Sequence, residues 1–89
     1  EELSFTTVRT RLASFLLRLA QKEGKQVAGG IQVVLPGSNQ ELASQIGTVR
    51  ELVSRNLSRL QAEGLIEMDG KTITIRDRKA LENELQSSD

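Results

Sequence analysis

Hydrophobic positions along this chain change period several times, and each change marks a new element. From Val8, apolar residues recur at Leu12, Phe15, Leu16 and Leu19, the three-to-four spacing of an amphipathic helix. Thr6 or Thr7 can cap its start and Gly24 can end it. "KQVAGGIQVVLPG" then places the Gly29-Gly30 pair between two short β-branched runs, which predicts a hairpin, and Pro36-Gly37 breaks the second strand. In "SNQELASQIG", Ser38 and Glu41 have capping-box spacing, so a helix is expected from Asn39, with Leu42, Ala43 and Ile46 on its inner face. Gly47 suits the left-handed position after it. Thr48 and Glu51 repeat the box spacing, so a second helix is expected almost at once, running to about Glu63 with Gly64 as its cap. Two short helices joined this tightly predict a helix-turn-helix over about residues 38–63.

The pattern after Gly64 alternates. Ile66 and Met68 fall on one strand, Ile73 and Ile75 on its partner, and Asp69-Gly70 is the expected turn of a wing over about residues 65–76. A short helix, "DRKALENEL", should close the chain with Ala80, Leu81 and Leu85 facing inward. The order is helix, hairpin, helix, helix, hairpin, helix: an α+β winged helix-turn-helix. Its expected core includes Leu42, Ile46, Val53, Leu57, Leu60, Ile66, Ile73 and Ile75.

Plotting the second helix of the pair at about 100° per residue from Arg50 sorts its faces. Val49, Val53, Leu57 and Leu60 cluster between about 260° and 340°, an expected core arc. Ser54, Ser58, Glu51 and Arg55 fall between about 40° and 140°, and Arg50 and Arg59 mark the edges. Asn56 lies beside the apolar arc, where a hydrogen bond to nearby backbone is expected. A polar outer face is common to all amphipathic helices, and Arg and Glu are good helix formers. The location is what distinguishes this one. In a helix-turn-helix, the N-terminal half of the second helix enters the major groove. Arginine there can give two donors to guanine O6 and N7, and glutamate can accept from cytosine N4.

Composition narrows the chemistry. Eighty-nine residues suffice for one small domain, expected to span 1–89. The chain has no Cys and no His, which removes zinc fingers, Cys–His nucleophiles and most transition-metal sites. No catalytic set, metal site or cofactor is expected in the domain. Only Phe5 and Phe15 are aromatic, so a stacking platform for single strands is not expected. No apolar run is long enough for a membrane span, and the Cys-free composition fits a reducing cytoplasm. Net charge is zero, yet residues 1–37 carry five basic and three acidic side chains, while 79–89 carry one and three. A local basic face is compatible with that distribution. The opening Glu1, in place of Met, leads to the expectation of a domain excised from a longer protein.

"SNQELASQIGTVRELVSRNLSRLQAEGLIEMDGKTITI" resembles the DNA-binding domain of bacterial Crp/Fnr transcription regulators. The likeness rests on Q-E-L-A before the turn, Gly47 within it, R-E-x-V-x-R opening the second helix and G-K-T-I-x-I in the wing. It covers Ser38–Ile75 closely and Leu3–Leu35 more loosely. The resemblance implies sequence-specific binding of double-stranded DNA at a palindromic operator. Arg50, Glu51 and Arg55 match the base-contacting positions of the cyclic-AMP-responsive branch, and Glu51, Ser54 and Arg55 those of the oxygen-sensing branch. Phosphate contacts are expected from Ser38, from Thr48 through its hydroxyl or N–H, from Lys71 at the wing tip and from Arg59. Val49 departs from the family pattern, where Ser or Thr is common. The resemblance further implies a homodimer in the full-length regulator, a largely monomeric isolated domain, RNA polymerase as a further candidate partner, and a place at the bacterial nucleoid. A winged helix used for protein–protein docking is the alternative that zero net charge permits.

Overall fold

The computed structural model describes residues 7–86. Thr6, the start of the looser resemblance at Leu3 and both ends of the expected 1–89 domain lie outside the described residues. Helix α1 covers Val8–Glu23, β1 Lys25–Val27 and β2 Gly30–Val34. Helices α2 and α3 cover Asn39–Ile46 and Arg50–Ala62. Strands β3 and β4 cover Ile66–Asp69 and Thr72–Ile75, and α4 covers Arg78–Asn83. This is the expected α+β winged helix-turn-helix.

Thr7 caps α1, its hydroxyl accepting from the Thr10 amide at 3.0 Å. Helix α1 packs against α2, α3, α4 and β2, and is thus the support on which the helix-turn-helix rests. Leu12 and Leu16 of α1 are fully buried against a core that includes Val53, Leu57 and Leu60 of α3 and Ile66, Ile73 and Ile75 of the wing. All eight core positions expected from the pattern are buried. Each such Leu or Ile contributes about 1.5–3 kcal/mol through apolar area removed from water.

The two hairpins join into one antiparallel sheet in the order β1-β2-β4-β3. Ile31 pairs with Ile75 and Val33 with Ile73, so β2 braces the wing along its length. The Leu35 amide donates to the Lys71 carbonyl at 2.9 Å, carrying that brace to the wing tip.

Three local expectations need correction. The two-residue turns are each displaced by one position. Val27 pairs with Gly30, leaving Ala28-Gly29 as the first turn, and Asp69 pairs with Thr72, leaving Gly70-Lys71 as the second. Gly70 has φ +64° and Lys71 has no positive φ, the pattern of a II′ turn with glycine first. Leu85 is 40 % exposed rather than buried. The regular helix α4 stops at Asn83, and tighter bonds from Glu84, Leu85 and Gln86 to carbonyls three residues back swing Leu85 off its inner face. Val49 is 59 % exposed rather than core, because it precedes α3 instead of belonging to its inner stripe.

Candidate nucleic-acid interface

The turn between α2 and α3 sets which face of α3 is exposed. Gly47 takes a left-handed conformation, φ +80° and ψ +42°, and its N–H donates to the Ala43 carbonyl. The Thr48 amide donates to the same carbonyl at 2.8 Å. Thr48 is therefore committed to closing α2 and cannot open α3. The chain needs one further extended residue to change direction, which Val49 supplies at φ −113° and ψ 156°. The expected box between Thr48 and Glu51 does not form: the N-cap is Val49, with no side-chain hydrogen bond. Thr48 also loses its amide as a phosphate donor and keeps its hydroxyl. The first amides of α3, at Arg50 and Glu51, have no acceptor among the described residues. They add to the positive end of the helix dipole.

Arg50, Glu51, Ser54 and Arg55 are all exposed on the first two turns of α3. The Arg55 guanidinium lies 3.4 Å from the Glu51 carboxylate, with the side chains 57 % and 79 % exposed. Such a solvated pair is worth little, so both groups can be redirected to another partner. Arg50 has no hydrogen-bond or ion-pair partner among the described residues. Asn39 Nδ2 donates to Ser54 Oγ at 3.1 Å, tying the start of α2 to the outer face of α3. An open cleft between the two helix starts is lined by Ser38, Asn39, Gln40, Arg50, Glu51 and Ser54. Ser38 is thereby brought beside three of the four base-reading candidates.

Ser38 forms the expected capping box. Its hydroxyl oxygen accepts from the Glu41 amide at 3.1 Å, and its own amide donates to the Glu41 carboxylate at 2.9 Å. The hydroxyl hydrogen remains a donor, so capping and phosphate contact are compatible. Lys71 stands apart, exposed at the wing tip. Arg59 is exposed in the last turn of α3, about 13 Å along the axis from Arg50. That separation suits a flanking backbone rather than the same bases. Asn56 makes the expected backbone bond, Nδ2 to the Leu52 carbonyl at 2.8 Å.

Several acidic side chains are paired within the fold, away from this face. Arg9 bridges Glu84 at 2.8 Å and Glu63 at 2.7 Å, Arg76 pairs with Glu67, and Arg78 with Glu82. Glu84 and Glu63 hold the Arg9 guanidinium well above its ordinary value, and the Arg9 hydrogen bond draws Glu63 below the usual carboxylate range. These acidic groups are thus matched away from the N-terminal turns of α3.

Two positioning residues escaped the sequence pattern. Arg11 Nε donates to the Ile46 carbonyl at 2.7 Å, and its Nη2 lies 3.4 Å from the Gly47 carbonyl. It satisfies the orphan end of α2 from a neighbouring helix and locks the turn. Asn39 does the same for the α2–α3 crossing. Neither contact has a local signature, because each joins residues 15 or more positions apart.

A short helix, a left-handed glycine, a second helix with an exposed polar start and a hairpin behind it define a winged helix-turn-helix protein. The family model described as "Crp-like helix-turn-helix domain" matches residues 10–84. The chain belongs to this Crp-like domain family of Crp/Fnr regulators. It is 36% identical over 80 residues to the CRP-like cAMP-activated global transcriptional regulator of Mycobacterium tuberculosis, covering 90% of this chain and 36% of that protein. It is 38% identical over 77 residues to the nitrogen fixation regulation protein FixK of Azorhizobium caulinodans, covering 84% and 31%. Among solved structures, the CO-dependent transcription factor CooA from Carboxydothermus hydrogenoformans superposes with TM-score 0.84 at 32% identity, over 93% of this chain and 38% of that one. The chain therefore spans about a third of the length of these relatives, which are transcription regulators rather than enzymes. Among the described residues, no helix is long and apolar enough to cross a membrane.

Proposed function

We propose that this domain binds double-stranded DNA sequence-specifically in transcription regulation, with α3 in the major groove of one half of a palindromic operator. The exposed start of α3 carries this reading: among the described residues Arg50 has no partner and Arg55 is held by a solvated pair with Glu51. Arg50 and Arg55 donate to guanine edges, Glu51 accepts from cytosine, and Ser54 offers its hydroxyl hydrogen while its oxygen accepts from Asn39. Ser38, the Thr48 hydroxyl, Arg59 and Lys71 hold phosphates and set the register. The work is recognition, not catalysis, and calls for no cofactor within the domain. In a regulator built like its relatives, two copies would meet as a homodimer across the palindrome, in the cytoplasm at the nucleoid, where RNA polymerase is a further partner.

Arg55→Ala tests the assignment. Binding to a preferred duplex should weaken by about 1–3 kcal/mol, and discrimination should relax at one base pair. Equal weakening on every single-base variant would demote Arg55 to a phosphate contact. Protein–protein docking is the second reading, favoured by zero net charge. It predicts no steep dependence of duplex binding on salt, whereas DNA affinity should fall by about 0.9 log units per log unit of salt for each phosphate neutralised.

A further inference from the structure

The start of α3 breaks a rule that the other helices keep. Helices α1, α2 and α4 begin at Thr7, Ser38 and Asp77, each with a side-chain oxygen accepting a backbone amide. Helix α3 begins at Val49, whose isopropyl group caps nothing. Valine is among the poorest residues for this position. Burial does not compensate, since Val49 is 59 % exposed, more than any other large hydrophobic side chain among the described residues. The backbone does not demand valine either, because φ −113° and ψ 156° is extended geometry open to serine or threonine. A residue that weakens both capping and surface solvation is accounted for if its apolar group is covered when α3 is docked. Val49 directly precedes Arg50 and Glu51 and stands exposed at the N-terminal tip of α3. The apolar group that a major groove presents there is the thymine 5-methyl.

We propose that Val49 is a specificity-determining residue, its isopropyl group packing on the 5-methyl of a thymine next to the base pair read by Arg50. This rests on the DNA-reading role of α3 and adds an apolar contact to a polar face. It also explains the missing cap: the surface that would carry a hydroxyl carries a methyl-reading group instead.

Replacement of individual thymines by deoxyuridine tests it, in a duplex selected from a randomised library by the 89-residue chain. At one thymine, loss of the methyl should weaken binding about fourfold, the equivalent of one buried methyl-sized group. Val49→Ser should bind the thymine and deoxyuridine duplexes equally and should melt a few degrees higher than the parent, having gained a cap. Val49→Thr, which keeps one methyl and adds a hydroxyl, should also melt higher and retain part of the preference. Equal binding of every deoxyuridine duplex by the parent would overturn the proposal and leave the DNA-binding reading standing. So would a Val49→Ser protein that still discriminates, or one that melts below the parent. Failure to enrich any duplex would remove the DNA-binding reading and this contact with it.

Discussion

The carboxylate of Glu51 stands in the second position of α3, and the residue expected to share a box with it, Thr48, is tied into the end of α2. Among the described residues Glu51 therefore has no capping duty and pairs only with Arg55, at 3.4 Å. Glu51→Ala should change folding stability by about 0.5 kcal/mol or less, the worth of an exposed i,i+4 pair, while altering base preference at one position. A melting curve and a site selection on the same variant check this. A loss of about 1 kcal/mol or more in stability with unchanged preference would return Glu51 to a structural role. Arg9 is the opposite case, a cation spent on the fold. Its removal takes away a half-buried bridge between α1, the end of α3 and the end of the chain's last helix. Arg9→Ala should cost about 1–2 kcal/mol at neutral pH. Glu63 has a folded pKa below its unfolded one, so its share is present above the ordinary glutamate range, about 4.3, and is lost as pH falls through the lowered folded value. Denaturation of parent and variant should thus show a gap that narrows below about pH 4. A gap that widens on acidification would contradict the bridge.

At the scale of elements, the turn between α2 and α3 is the feature on which the reading face depends. Gly47 is left-handed, and a Cβ added there would meet no atom within 4 Å. The cost of Gly47→Ala is then purely backbone, about 1–2 kcal/mol. Gly47→Asn, which tolerates that conformation better, should cost less. Thermal melting of the two variants checks the order, and an alanine variant as stable as the parent would mean that the turn can rearrange. Such features were legible because their causes are local: capping boxes, a glycine after an apolar stripe, alternation in the wing. The core arc of α3 was readable from Val53, Leu57 and Leu60 alone. Val49 was misplaced because angular position presumes helix, and Thr48 could not serve two helices at once. The one-residue shift of both hairpin turns has the same character, since glycine marks a turn more surely than it sets its centre. Pairing of β2 with β4, and the Arg11 and Asn39 contacts across the helix pair, depend on residues distant in sequence, and no local pattern names such partners.

For the molecule as a whole, three large hydrophobic side chains are exposed among the described residues: Val34 in β2, Val49 before α3 and Leu85 after α4. These single side chains, far apart in sequence, give no reason to expect a second copy. Sedimentation of the 89-residue chain at tens of micromolar should give a monomer, and a stable dimer would overturn that expectation. On the proposed reading a lone domain meets one half-site, so its affinity should be weak, about micromolar. We propose that the outer face of α3 reads bases while its surroundings hold phosphates. Selection from a randomised duplex library, followed by a salt titration of the winning and scrambled duplexes, addresses both halves at once. The expected result is one enriched motif, a linear fall of log affinity with log salt for both duplexes, and a slope reduced by about one when Lys71 is replaced by Ala. Binding that enriches no motif, or that is indifferent to salt, would contradict it.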